Sequence, residues 1–156
     1  MTHLSYHPIA TPIVAALREG GPDAYGVTPE HAISDAASNP CRHCLNDIAQ
    51  VAGMLIFAHR PFERLHAYAE TGPVFLCADA CAAYRGKTPP PILTTRPEYL
   101  LKGYTNDERI RYGTDKIVCS ADVTTYATQV LKQSEVAFID VRSARNNCFQ
   151  LRITQA

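Results

Sequence analysis

Hydrophobic residues in the last third of the chain recur at the spacing of an amphipathic helix. The offsets i, i+3, i+4, i+7 and i+8 are filled by Val123, Tyr126, Ala127, Val130 and Leu131. Residues at these offsets share one face of an α-helix. The pattern predicts a helix over residues 123–131 that packs on the protein by this face.

Shorter apolar stretches predict β-strands. Residues 53–60 and 71–78 are nearly continuous apolar runs, as in buried strands. Weaker patterns predict strands at 99–104 and 109–112 around a turn at 105–107, and two further strands are predicted at 136–142 and 148–153. Because only one clear helix accompanies them, the sequence predicts an α+β fold with a largely antiparallel sheet of five to six strands.

The register of the last two strands follows from their side chains. A two-residue loop would pair Val141 with Arg152, mixing apolar and charged residues on each face. A three-residue loop at 145–147 instead pairs Val141 with Leu151 and Asp140 with Arg152. Its last residue must be left-handed, which Asn147 tolerates.

This register puts Arg142 and Cys148 on the more polar face of the hairpin. Arg142, Arg145 and Cys148 are therefore a candidate anion-binding group, since guanidinium groups match carboxylate and phosphate. The alternative role for these arginines is ordinary cross-strand ion pairing, as between Asp140 and Arg152.

The N-terminal region differs in composition from the rest. Residues 1–37 are rich in Pro, Gly, Ala and His and contain one helical candidate, residues 12–19, followed by Gly20 and Gly21. We predict an irregular N-terminal arm over 1–37 and a body over 38–156, together forming a single domain over residues 1–156.

Charge and hydropathy limit the classes of partner that the protein is expected to bind. Fifteen Lys and Arg offset fifteen Asp and Glu, so no basic field attracts nucleic acid. No apolar run approaches the ~20 residues of a membrane span. Residues 1–8 lack the features of a secretory signal, and we expect a cytoplasmic protein. The expected partner is an unidentified small molecule or protein.

The cysteines carry the strongest chemical signal. Cys41 and Cys44 form a Cys-x-x-Cys pair, and Cys77 and Cys81 a second close pair. Zinc is commonly held by four such thiolates in a tetrahedron, with His43 as a possible substitute ligand. The sequence therefore predicts a zinc site at Cys41, Cys44, Cys77 and Cys81.

Two other roles for these cysteines stay open. They can be unmetallated and partly buried, as structural cysteines often are. Cys41 and Cys44 can also form a thiol redox pair, with Arg42 and His43 favouring the Cys41 thiolate. Against the redox role, the residues before Cys41 do not form the apolar strand that precedes thioredoxin-type sites.

Three segments resemble a bacterial family of uncharacterised proteins, domain of unknown function 1203. They are Pro-Cys-Arg-His-Cys-Leu at 40–45, Tyr-Ala-Glu-Thr-Gly-Pro-Val-Phe-Leu at 68–76 before Cys81, and Val-Arg-Ser-Ala-Arg at 141–145 before Cys148. In the family pattern His commonly occupies the position of Cys77, so this exchange keeps a zinc ligand, whereas some members lack a cysteine matching Cys44. The resemblance implies no activity. The sequence thus predicts a binding or structural module and leaves open whether it is an enzyme.

Overall fold

The computed structural model describes residues 3–156. The first two residues of the predicted N-terminal arm lie outside the described residues. The chain forms two compact units: the terminal unit joins the described residues 3–7 to residues 85–156, and the cysteine unit comprises residues 8–84. The prediction that the chain is a single domain stays a prediction.

Strands dominate both units, which confirms the predicted α+β class. In chain order the elements within residues 3–156 are β1 (Leu4–His7), α1 (Thr11–Arg18), β2 (Glu30–Ile33), β3 (Gly53–His59), β4 (Gly72–Cys77), β5 (Glu98–Tyr104), β6 (Lys116–Cys119), α2 (Val123–Leu131), β7 (Phe138–Ser143) and β8 (Phe149–Gln155). Short 3-10 helices span Pro91–Leu93 and Ser120–Asp122. None of the helices found in residues 3–156 has the length and apolar character needed to cross a membrane.

The terminal unit is a five-stranded antiparallel sheet with α2 packed on it. The strand order is β1, β8, β7, β5, β6. The predicted helix at 123–131 is confirmed, and its buried residues are Val123, Ala127, Val130 and Leu131. They pack against the sheet as the apolar stripe requires, while Tyr126 donates a 2.7 Å hydrogen bond to the Thr114 carbonyl.

The predicted register of the C-terminal hairpin is confirmed over its first pairs. Asp140 lies opposite Arg152 and Val141 opposite Leu151. Asn147 is left-handed, with φ of 58°. A bulge then shifts the register, so Arg142 pairs with Phe149 and not with Gln150 as an unbroken ladder would require.

One strand prediction in this unit is wrong. Residues 109–112 form no strand, because the turn after β5 closes through Thr105 N to Arg109 O, 2.9 Å, and Arg111 N to Gly103 O, 2.8 Å. The fifth strand is instead β6, whose four residues include a single buried one, Val118. So short and exposed a strand leaves no apolar pattern in the sequence.

The cysteine unit contains a three-stranded antiparallel sheet in the order β2, β3, β4. The predicted helix at 12–19 is confirmed as α1, which buries Val14 and Leu17 and ends at Arg18. Gly20 follows the C-cap in a left-handed conformation, with φ of 87°. The N-terminal arm is less irregular than predicted, because β1 and β2 lie within it. Both have four residues and few apolar ones.

Candidate metal centre

Cys41 and Cys44 lie on a tight turn that returns the chain on itself. Cys41 N donates to Asn46 O at 2.9 Å, and Leu45 N donates to Cys41 O at 3.0 Å. Leu45 is left-handed, with φ of 57°, which closes the turn. Both thiols are thereby presented by one short loop.

The second pair lies at the end of β4. Cys77 is the last residue of this strand, and Cys81 follows in the loop beyond it. The loop of the first pair runs beside β4, because Arg42 N donates to Phe75 O at 3.0 Å. Cys77 N also donates to the Cys41 sulfur at 3.3 Å. Main-chain pairing therefore brings the two cysteine pairs together.

All four sulfurs converge as the sequence predicts. The Sγ atoms of Cys41, Cys44, Cys77 and Cys81 lie within 4.8 Å of one another, the one such group of potential metal ligands in residues 3–156. Cys41 Sγ and Cys81 Sγ are 3.9 Å apart, and the four cysteines are free thiols. Zinc bonds of ~2.3 Å in a tetrahedron require sulfurs about 3.8 Å apart. The cluster therefore matches the size of a tetrathiolate site.

Two basic side chains contact the same sulfur. Arg18, at the end of α1, donates through Nη2 to Cys81 Sγ at 3.1 Å and through Nε to Cys77 O at 3.1 Å. His43 Nδ1 lies 3.2 Å from Cys81 Sγ, and its Nε2 lies 3.0 Å from Thr11 Oγ1. His43 thus lies beside the four sulfurs as a hydrogen-bonding neighbour. Such N–H groups stabilise negative charge on sulfur.

The thiols influence each other's ionisation strongly. Hydrogen bonds from the Cys44 and Cys77 thiols, aided by backbone N–H groups, hold the pKa of Cys41 far below its ordinary value. The hydrogen bond to Cys41 raises the pKa of Cys44 to about 11. Hydrogen bonds to Cys41 and Cys44, and then burial, raise the pKa of Cys77. Among these three thiols, negative charge is therefore favoured on Cys41, and a cation among the sulfurs would favour ionisation of Cys44 and Cys77 as well.

The anion-binding role of Arg142, Arg145 and Cys148 stays a prediction, and the three residues differ in their surroundings. Arg142 is only 4% exposed, so the expectation that it faces solvent is wrong; both faces of β7 are covered. Its Nη1 donates to Asn147 O at 3.0 Å. Cys148 is half-buried, as expected, and its N–H donates to Ser143 Oγ at 3.0 Å. Arg145 is exposed in the turn, where it lines a pocket with Arg96.

The predicted cross-strand pairing of Asp140 with Arg152 is confirmed. Arg152 binds Asp140 through two hydrogen bonds of 2.7 and 3.0 Å. Asp140 is fully buried, and the Arg152 guanidinium lies 3.6 Å from the centre of the Phe138 ring. The Arg152 guanidinium therefore makes its contacts within the hairpin.

Sequence comparison identifies the family that the three segments suggested. The profile of the family described as protein of unknown function DUF1203 matches residues 38–155. The match includes all four cysteines of the cluster. Neither the curated proteins nor the solved structures contain a significant match to the chain.

Proposed function

We propose that this chain, which belongs to the DUF1203 family of proteins of unknown function, holds one structural zinc ion through Cys41, Cys44, Cys77 and Cys81. The observation that carries the proposal is the convergence of these four sulfurs within 4.8 Å of one another. The Cys41 turn, the end of β4 and the loop after it supply these sulfurs, and main-chain hydrogen bonds hold these segments in place. Such fixed ligands bind a metal without a large ordering cost.

The ligand set supports a structural role over a catalytic one. Four thiolates complete the tetrahedral coordination of zinc, whereas catalytic sites keep one position for water or substrate. Here the ion would join the Cys41 turn to the end of β4 and to the loop that carries Cys81. Its role is then to fasten three segments of the cysteine unit.

The surroundings of the cluster suit a negatively charged site. Four thiolates and one Zn²⁺ carry a net charge of about −2, which must be compensated when water is largely excluded. The Arg18 guanidinium and the His43 ring lie against Cys81, and the Cys77 N–H points to Cys41. The N–H groups of Arg18 and Cys77 supply compensation on two of the four ligands.

The thiol redox alternative has less support. Cys41, the thiol whose pKa is lowered, has no exposed surface. A redox nucleophile must reach a substrate disulfide, so reactive cysteines are usually partly accessible. The lowered pKa also suits a metal ligand, because zinc binds thiolate.

Metal analysis of protein purified without chelator tests the proposal. We expect about one zinc per chain and its loss in Cys44→Ser. Cys119→Ser is the matched control, since Cys119 is exposed and outside the cluster. Absence of zinc from the wild type after anaerobic purification and zinc addition would overturn the proposal.

Alkylation separates the zinc site from the redox pair. In zinc-loaded protein, Cys119 and Cys148 should react with iodoacetamide first, and the four clustered cysteines only after a chelator is added. A redox pair would show the reverse order, with Cys41 reacting faster than Cys119 near neutral pH. Mass spectrometry of the alkylated peptides identifies which thiols react.

A further inference from the structure

We propose that the terminal unit contains an anion-binding pocket whose cationic groups are Arg96 and Arg145. The pocket has a volume of about 320 Å³ and lies between the start of β5 and the turn after β7. Its other polar side chains are Glu98, Ser143 and Asn146. The proposal concerns a ligand site separate from the cysteine cluster and independent of the zinc proposal.

The pocket opens where the ladder between β5 and β7 ends. The last paired residues in this direction are Tyr99 and Ser143. Pro97 has no N–H with which to continue the ladder, and its carbonyl accepts a hydrogen bond from Ser120 N at 2.9 Å. The segments that continue β5 and β7 therefore separate at this point. Side chains of both segments line the space between them.

Ser143 fixes the wall formed by the turn. Its N–H donates to Cys148 O at 2.9 Å, its carbonyl accepts from Asn147 N at 3.0 Å, and its Oγ accepts from Cys148 N at 3.0 Å. These three hydrogen bonds of Ser143 fix the main chain of the turn. Arg145 and Asn146, at its tip, are exposed and line the pocket.

Arg96 is held on the opposite wall by a buried tyrosine. Its backbone N–H donates to the Tyr99 hydroxyl at 3.2 Å, and that hydroxyl donates to the Ile92 carbonyl. Tyr99 has no exposed surface. The position of Arg96 is therefore determined by the core of the unit, while Arg96 itself is half-buried.

The charges and dimensions define the class of ligand. Of the residues that line the pocket, Arg96 and Arg145 are cationic and Glu98 is anionic, so the formal charge of the lining is positive. Guanidinium groups bind carboxylate and phosphate through paired hydrogen bonds. The volume is at the lower end of small-molecule sites, and Pro97 and Ala144 give it an apolar side. We therefore assign it a small organic anion whose charged groups are carboxylate or phosphate.

Titration calorimetry with inorganic phosphate and, separately, with malonate tests the pocket. We expect saturable binding of at least one probe, weakened ~10-fold or more in Arg145→Gln through loss of a charge-assisted pair. Arg85→Gln is the matched control, because Arg85 is an exposed arginine of the same unit outside the pocket. It removes the same charge and should change affinity less than ~2-fold.

Glu98→Gln provides a test in the opposite direction. Removing a carboxylate from the pocket should tighten binding several-fold, which a purely structural role of Glu98 would not produce. Binding of phosphate alone indicates a phosphorylated ligand, and binding of malonate alone a carboxylic acid. Failure of both probes to saturate the protein at millimolar concentration, or equal losses in Arg145→Gln and Arg85→Gln, would overturn the proposal.

Discussion

At the scale of single residues, Arg18 links helix α1 to the cysteine cluster. Its guanidinium contacts both the Cys81 sulfur and the Cys77 carbonyl. We predict that Arg18→Gln weakens zinc binding by roughly 10–100-fold, as for other residues that hydrogen-bond metal ligands. Competition with a chromophoric chelator measures the affinity. Arg64→Gln removes an exposed arginine of the same unit and should leave it unchanged.

His7 gives the terminal unit a dependence on pH. Burial and the nearby Arg152 guanidinium lower the pKa of His7 below the ordinary 6.5, and its Nε2 lies 2.8 Å from Thr154 Oγ1. The unfolded chain therefore binds a proton at higher pH than the folded chain does. The stabilisation from neutral His7 is present above 6.5 and is lost as the pH falls through the folded pKa.

The corresponding prediction is that His7→Gln reduces the loss of unfolding free energy between neutral pH and about pH 5. Urea unfolding at several pH values measures this loss. His31→Gln, which removes an exposed histidine of β2, is the matched control. The prediction is contradicted if the wild type and His7→Gln lose stability in parallel.

At the scale of secondary-structure elements, Gly103 lets β5 approach both α2 and the loop before β6. A Cβ at this position would lie 2.8 Å from Thr114 Oγ1 and 3.2 Å from Val130 Cγ1. The same Thr114 hydroxyl accepts a hydrogen bond from Gly103 N at 2.9 Å and donates one to Arg111 O at 2.6 Å. It cannot move away from a new Cβ without weakening these bonds.

We therefore predict that Gly103→Ala lowers the free energy of unfolding by about 1–3 kcal/mol, the usual cost of an overpacked core. Chemical denaturation measures the change. Gly72→Ala, at the start of β4, is the control because a Cβ there meets nothing within 4 Å. Equal effects in the two variants would show that strand propensity, and not crowding at α2, determines the cost.

The elements that sequence predicts best are those whose own side chains define them. Helix α2 can be predicted from the sequence because its apolar stripe is the surface that packs on the sheet. The pairing of Asp140 with Arg152 can be predicted because, of the two registers compared, one alone separates charged from apolar residues. By contrast, β1, β2 and β6 are short edge strands held by main-chain bonds to a neighbour, and their sequences carry little of that information.

At the scale of the whole molecule, the two candidate sites differ in how many of their residues can be predicted from the sequence. The four clustered cysteines, which we propose as zinc ligands, are found because cysteine spacing itself encodes a site. Arg18 and Thr11 are missed, since their contacts with the cluster and with His43 exist only after α1 packs. Arg96 is missed for the same reason: the pairing of β5 with β7 brings it to the pocket of Arg145.

The placement of all four cysteines within residues 8–84 predicts a local response to metal removal. The amides of Cys41, Arg42 and Leu45 are bonded within or beside the cysteine loops. Without zinc, no coordination bonds would join these loops, so we expect them to open more readily, and small units often depend on such a metal. We expect faster hydrogen exchange at these amides after chelation, with the ladder of β7 and β8 still protected.

Hydrogen exchange followed by mass spectrometry, with and without chelator, makes this measurement. The control is Cys119→Ser, which should respond to chelator as the wild type does, whereas Cys44→Ser should show the fast exchange before chelator is added. The comparison isolates the metal from other effects of the chelator, because Cys44→Ser removes one ligand and leaves the three other cysteines in place. Exchange that rises equally in the cysteine loops and in the ladder of β7 and β8 would contradict a local role and would show that zinc stabilises the whole chain.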